Sequence, residues 1–186
     1  MGERPVNEPG NPPPAIVEHF QAHGWVRVRS AFGVDEAAAM REVVWRALGD
    51  VGIVSDKPGT WHKERPDHLQ HLKSEPVFRA VGSDRTLAAI DEVLAGQRWP
   101  RPADWGAFFI VFPALLPANR PWTVPSDGWH ADADYTGPLT PPKGVKVHAM
   151  FGDVAPRAGG MTIVSGSHRL VHRWFADHPP RLEARD

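Results

Sequence analysis

The first half of the chain carries apolar side chains at the three- and four-residue spacing of amphipathic helices. Ile16, Val17 and Phe20 predict a helix that ends before Gly24, a residue suited to a left-handed cap. Strict alternation over 25–29 then predicts a short strand. The helices predicted from these patterns span 15–23, 34–48, 76–81 and 84–96.

The second half replaces this pattern with short β-branched and aromatic runs separated by Pro and Gly. In the run 145–154, one face carries Val145, Val147, Ala149 and Phe151 and the other carries Lys146, His148 and Met150, which predicts one apolar face and one mixed face. Helices followed by several short strands are typical of an α+β protein with a sandwich or barrel core. The strands predicted in this half span 105–112, 128–134, 145–154 and 161–164.

Composition narrows the class of protein. The chain has 186 residues, of which 41% are hydrophobic, so we expect a single domain over 15–186 after a Pro-rich, disordered leader over 1–14. Its 21 basic and 22 acidic residues form no basic block, which argues against nucleic acid as a partner. No apolar run is long enough to span a membrane, so a cytoplasmic protein is expected. The absence of cysteine leaves His, Asp and Glu as metal ligands.

The sequence Trp129-His130-Ala131-Asp132 contains a candidate metal chelate. Side chains two residues apart on a strand point to the same face, so His130 and Asp132 can close on one cation. An imidazole and a carboxylate are two of the three ligands of the facial triad that holds non-haem Fe(II). Asp134 returns to the same face, but Asp132 is nearer and makes the tighter chelate.

Four motifs follow one another in a recognisable order: Trp-His-x-Asp, Gly-Asp-Val ending a predicted strand, Gly-Gly-x-Thr-x-Val, and Gly-Ser-His-Arg. With the opening His-Gly-Trp-Val-Arg-Val segment, this order resembles the phytanoyl-CoA dioxygenase family of Fe(II)/2-oxoglutarate-dependent oxygenases. The likeness extends to about Arg173. It implies a double-stranded β-helix, or jelly roll, buttressed by the N-terminal helices and incomplete in this chain.

The resemblance also implies ligands and cofactors. His130 and Asp132 would hold Fe(II), 2-oxoglutarate would chelate the iron, and His148 matches a position that lines the co-substrate pocket. The carboxylate of Asp132 favours hydroxylation of a small organic substrate over halogenation. His168, in Gly-Ser-His, matches a turn residue of the family that does not bind iron.

The chain departs from the family pattern in one respect. The segment after Asp132 is too short for the family's second iron-binding His and its 2-oxoglutarate-binding Arg, so three interpretations of the chain stay open. The residues from 170 to 186 are expected to form a polar tail. The chain is then a truncated, inactive copy, an active oxygenase, or a non-catalytic binding or interaction domain. An active enzyme would take its third ligand from His148, His172, His178, water or another subunit. Half a jelly roll would expose sheet edges, through which we expect self-association.

Overall fold

The architecture of the described part of the chain is helical. A computed structural model describes residues 16–61, 66, 69–106, 108–110, 112, 123–126, 128–131, 144–155 and 160–178. Within these residues, α-helices span Ile16–His23 (α1), Val34–Asp50 (α2), Asp84–Val93 (α3) and Ser167–Asp177 (α4), and 3₁₀ helices span Pro58–Thr60, Gln70–Ser74 and Pro76–Gly82. The predicted leader, 1–14, lies outside the described residues. In the described part, no helix is long and apolar enough to cross a membrane.

The predicted helices of the first half are confirmed, and their ends follow from local chemistry. Gly24 adopts a φ of 78° and ends α1. At the start of α2, the backbone N–H of Gly33 donates to the Glu36 carboxylate at 2.7 Å. The Ser83 hydroxyl accepts from the Thr86 backbone N–H at 3.2 Å and caps α3.

The hydrophobic core lies between α2 and the 3₁₀ helix Pro76–Gly82, which in turn packs against α3. Its largest fully buried side chains are Phe78, Met40, Leu48 and Ile53. The position of α1 is set by its contact with α3. Burial of these apolar side chains, rather than intrinsic helix propensity, stabilises the short helices.

Aromatic side chains from the second half complete this core. The ring of Phe78 lies 4.8 Å from that of Phe108 and 5.8 Å from that of Phe151, measured between centroids. Phe112 stacks on Trp61 with a centroid distance of 4.9 Å. The Arg41 guanidinium of α2 also donates a hydrogen bond to the Phe151 carbonyl. The second half is therefore anchored on the helices at several points along its length.

The predicted jelly roll is wrong for the described residues, which contain helices and no strand. The described parts of the four runs predicted as strands in the second half, and of 25–29, are irregular. An alternating sequence predicts which side chains are buried. A strand also needs backbone hydrogen bonds to a neighbouring strand, whereas a helix forms its backbone hydrogen bonds within one segment. Here Ala149 and Phe151 turn toward the helical core, as the alternation predicts, although they form no strand. Val147, predicted on the same face, is 40% exposed, so the alternation is only partly followed.

The polar tail predicted over 170–186 is wrong as far as residue 177, because α4 occupies that part, and residues 179–186 lie outside the described residues. Val171 and Phe175 are half-buried and lie one turn apart, while Leu170 and Trp174 are exposed. These apolar residues at i, i+1, i+4 and i+5 form a stripe along a helix. The helical spacing of these four apolar residues among polar neighbours is a sequence signal for α4.

We predict that Phe78→Ala lowers the free energy of unfolding by about 3–5 kcal/mol, because the fully buried ring leaves a cavity. Phe109→Ala is the matched control, since Phe109 lies in the same aromatic region but is 83% exposed. Urea denaturation of the two variants measures the difference. Equal losses would show that Phe78 is not at the centre of the core.

Candidate metal centre

His130 lies in the irregular segment 128–131 and is exposed. Its Nδ1 lies 2.8 Å from the Gly128 carbonyl oxygen. Because a carbonyl can only accept, Nδ1 carries a proton, and in the neutral imidazole Nε2 then carries the lone pair. A metal-binding histidine commonly takes this form, with one ring nitrogen donating to a carbonyl and the other facing the ion. The neighbouring Trp129 indole donates to the Pro125 carbonyl at 3.0 Å, so local bonds hold this segment in shape.

The other predicted ligand, Asp132, and its competitor Asp134 lie outside the described residues. Among the described residues, no group of three His, Asp or Glu side chains lies close enough together to hold a metal ion. His130 therefore fits the donor chemistry of the predicted iron site, but the described residues alone do not complete that site.

His148 is exposed, whereas Ala149 and Phe151 beside it are half-buried against the helical core. The predicted mixed face of this segment thus points away from the helices. The co-substrate role that the family resemblance implies for His148 stays a prediction. His172 and His178, considered above as third ligands, both lie at α4, where His178 caps the helix end and bonds the Trp174 carbonyl at 3.0 Å.

His168 has a structural position in the first turn of α4. Its Nε2–H donates to the Gln21 carbonyl of α1 at 3.1 Å. The imidazole also covers Gly24, where a Cβ atom would lie only 2.4 Å from Nδ1. The bond reaches across 147 positions of sequence rather than within a turn. The Gly-Ser-His motif therefore attaches α4 to the end of α1.

His23 strengthens the same junction from the other side. The His23 carbonyl accepts from the Gly166 backbone N–H at 2.8 Å, and its Nδ1 lies 2.8 Å from the Ser165 hydroxyl. Sequence reasoning did not single out His23. Its contacts with Ser165 and Gly166 have no signal in the sequence, because they form only when the ends of α1 and α4 meet.

His19 and His23 face each other one turn apart on α1, with ring centroids 4.5 Å apart. The Trp25 ring meets His19 edge-on at 4.7 Å. Burial first, and then the neighbouring His23, lower the pKa of the half-buried His19. This pair was also missed from sequence, although the His-x-x-x-His spacing on a predicted helix signals it.

A separate charged cluster closes the end of α3. Asp91 accepts from the Trp99 indole at 2.7 Å and from Arg101 at 2.9 Å, and the Arg101 guanidinium lies 4.1 Å from the centre of the Trp99 ring. The hydrogen bond from Trp99, and then those from Arg101, lower the pKa of Asp91. The three side chains satisfy one another, which indicates a structural role.

No family model, curated protein or solved structure matches the chain. The resemblance to the phytanoyl-CoA dioxygenase family therefore depends on the order of its short motifs and on the chemistry of His130.

We predict that Gly24→Ala destabilises the chain by more than Gly52→Ala. Both glycines have a left-handed φ, 78° and 83°, so each substitution costs about 1–2 kcal/mol in backbone strain. Only the Cβ at position 24 would also strike a neighbour, the His168 ring, whereas nothing lies within 4 Å at position 52. Thermal unfolding of the two variants isolates the cost of that contact. Equal shifts in Tm would show that His168 moves away freely.

Proposed function

We propose that the chain supplies two ligands, His130 and Asp132, to a non-haem Fe(II) centre of the 2-oxoglutarate-dependent dioxygenase type. The reaction would be hydroxylation of a small organic substrate. The observation that carries this proposal is the hydrogen bond from His130 Nδ1 to the Gly128 carbonyl at 2.8 Å, because it selects the tautomer whose Nε2 can bind a metal.

The residue types support iron more than other metals. One imidazole and one carboxylate are the ligands that the 2-His-1-carboxylate triad combines, and the chain has no cysteine to form a thiolate zinc site. Bound Fe(II) supplies the activation of O₂, coupled to decarboxylation of 2-oxoglutarate. The contribution of the chain is to hold the cation and to orient the co-substrate, for which the exposed His148 is the candidate.

An iron centre of this type also needs a third iron ligand and a cationic side chain that pairs with the distal carboxylate of 2-oxoglutarate. Of the arginines in the last segment, Arg173 lies on α4, and Arg181 and Arg185 lie outside the described residues. We therefore assign the isolated chain a weak metal site without turnover. A partner that supplies the missing groups would complete the enzyme.

We predict that Mn(II), used as a redox-inactive substitute for Fe(II), binds weakly to the wild-type chain and not to the His130→Ala or Asp132→Ala variants. Two protein ligands instead of three give a weak site, and removal of either leaves no chelate. Calorimetry and the Mn(II) electron paramagnetic resonance signal measure the binding.

The control for this experiment is His71→Ala, which removes an exposed imidazole on the 3₁₀ helix Gln70–Ser74 that is not among the candidate iron ligands, and it is expected to leave Mn(II) binding unchanged. Unchanged binding in His130→Ala would refute the ligand assignment. If the wild-type chain bound no Mn(II), the non-catalytic alternative, a binding or interaction domain, would be favoured.

We predict that the isolated chain, supplied with Fe(II), ascorbate and 2-oxoglutarate, forms succinate no faster than its Asp132→Ala variant. Loss of a cationic partner for the co-substrate carboxylate costs several kcal/mol, and each 1.4 kcal/mol is about tenfold in affinity. Succinate formation well above that of the variant would contradict this prediction. It would also identify the chain as a complete enzyme whose third ligand is His148, His172, His178 or a residue of a second subunit.

A further inference from the structure

The histidine pair on α1 lies outside the predicted iron centre and has the spacing of a metal chelate. His19 and His23 are four residues apart, so both side chains lie on one helical face, and their ring centroids are 4.5 Å apart. Two histidines at i and i+4 are the arrangement by which a helix presents two imidazoles to one zinc ion in the His-Glu-x-x-His motif. His23 is exposed and His19 half-buried, so solvent reaches the pair.

The hydrogen bonds around His23 suit a ligand role. Its Nδ1 lies 2.8 Å from the Ser165 hydroxyl, whose oxygen can accept a hydrogen bond from Nδ1–H. In that tautomer of the neutral ring, Nε2 carries the lone pair. The adjacent backbone is held as well, because the His23 carbonyl accepts from the Gly166 N–H at 2.8 Å.

We propose that His19 and His23 form a second metal site, a bis-imidazole chelate for a divalent transition metal of the Cu(II), Ni(II) or Zn(II) class. The two histidines supply the protein ligands, and water fills the remaining coordination positions. The site is independent of the iron centre proposed above, because it shares no residue with it.

The ligand chemistry determines the order of affinity. Imidazole nitrogens prefer borderline metals, so Mg(II) and Ca(II), which prefer oxygen ligands, should not bind. Among the divalent metals, Cu(II) should bind more tightly than Ni(II) or Zn(II), in the order common to nitrogen ligands. Ser165 acts as a positioning residue through His23, and loss of such a partner weakens metal binding by about tenfold or more.

The experiment is a calorimetric titration of the full-length His130→Ala variant with Cu(II) and Ni(II), so that the predicted iron site cannot contribute. We expect one ion per chain, and at least a tenfold loss of affinity in His19→Gln and in His23→Gln. Glutamine retains a hydrogen-bonding side chain, so the contact of residue 23 with Ser165 can persist. Ser165→Ala should weaken binding by about tenfold without abolishing it.

The matched control is His172→Gln. His168 and His172 have the same i, i+4 spacing on α4, but His168 Nε2 bonds the Gln21 carbonyl and its Nδ1 lies against Gly24, so both ring nitrogens are occupied by contacts with α1 and its end. Binding should therefore be unchanged in His172→Gln. A second readout needs no substitution on α1: the electron paramagnetic resonance spectrum of bound Cu(II) should show hyperfine coupling to two imidazole nitrogens.

The proposal is overturned if neither Cu(II) nor Ni(II) binds, if binding survives both α1 substitutions, or if it falls equally in His172→Gln. A Cu(II) spectrum that shows a single nitrogen ligand would overturn it as well. Failure of Mn(II) binding at His130 and Asp132 would refute the proposed function and leave this site unaffected, because the titration is carried out without His130.

Discussion

Packing of aromatic rings around Phe78 joins the two halves of this chain. Phe78 lies on the short 3₁₀ helix between α2 and α3 and receives the rings of Phe108 and Phe151 from the irregular second half. A 3₁₀ helix of this length has weak hydrogen bonds of its own, so tertiary contacts must hold it. Burying one such ring stabilises a fold by about 1.5–3 kcal/mol relative to leaving it in water. The position of residues 145–151 thus depends on a helix seventy residues earlier.

A second junction is polar and lies nearer the surface. The end of α1 meets the start of α4 through the His23 carbonyl and imidazole, and through the His168 ring above Gly24. Each hydrogen bond of this kind contributes only about 0.5–1.5 kcal/mol, so its main effect is geometric. It fixes where α4 begins and which way His23 faces. His23 and His168 thus link segments that lie far apart in the sequence.

The predicted iron ligand occupies a different kind of environment. His130 lies in a short irregular segment and is held by its bond to the Gly128 carbonyl. Functional side chains often occupy irregular segments positioned by a packed scaffold, and the helical core is the packed part of the described residues. A metal ion at His130 would be bound by ligands close in sequence. The α1 pair, by contrast, uses the regular spacing of a helix to bring its two imidazoles together.

The sequence by itself determined the local features of the fold, namely where helices begin and end. Apolar spacing and caps located α1, α2 and α3, since a helix forms its hydrogen bonds within one segment and Gly24 or Ser83 can end or start it without distant help. Alternation also identified Ala149 and Phe151 as core-facing residues. Tertiary structure decided the rest. Whether residues 145–154 form a strand depends on a neighbouring strand that an alternating sequence cannot specify. None of the described residues forms such a strand beside them. The roles of His168 and His23 were likewise undetermined, because the bond between His168 and Gln21 spans 147 positions and exists only once α1 and α4 are packed together.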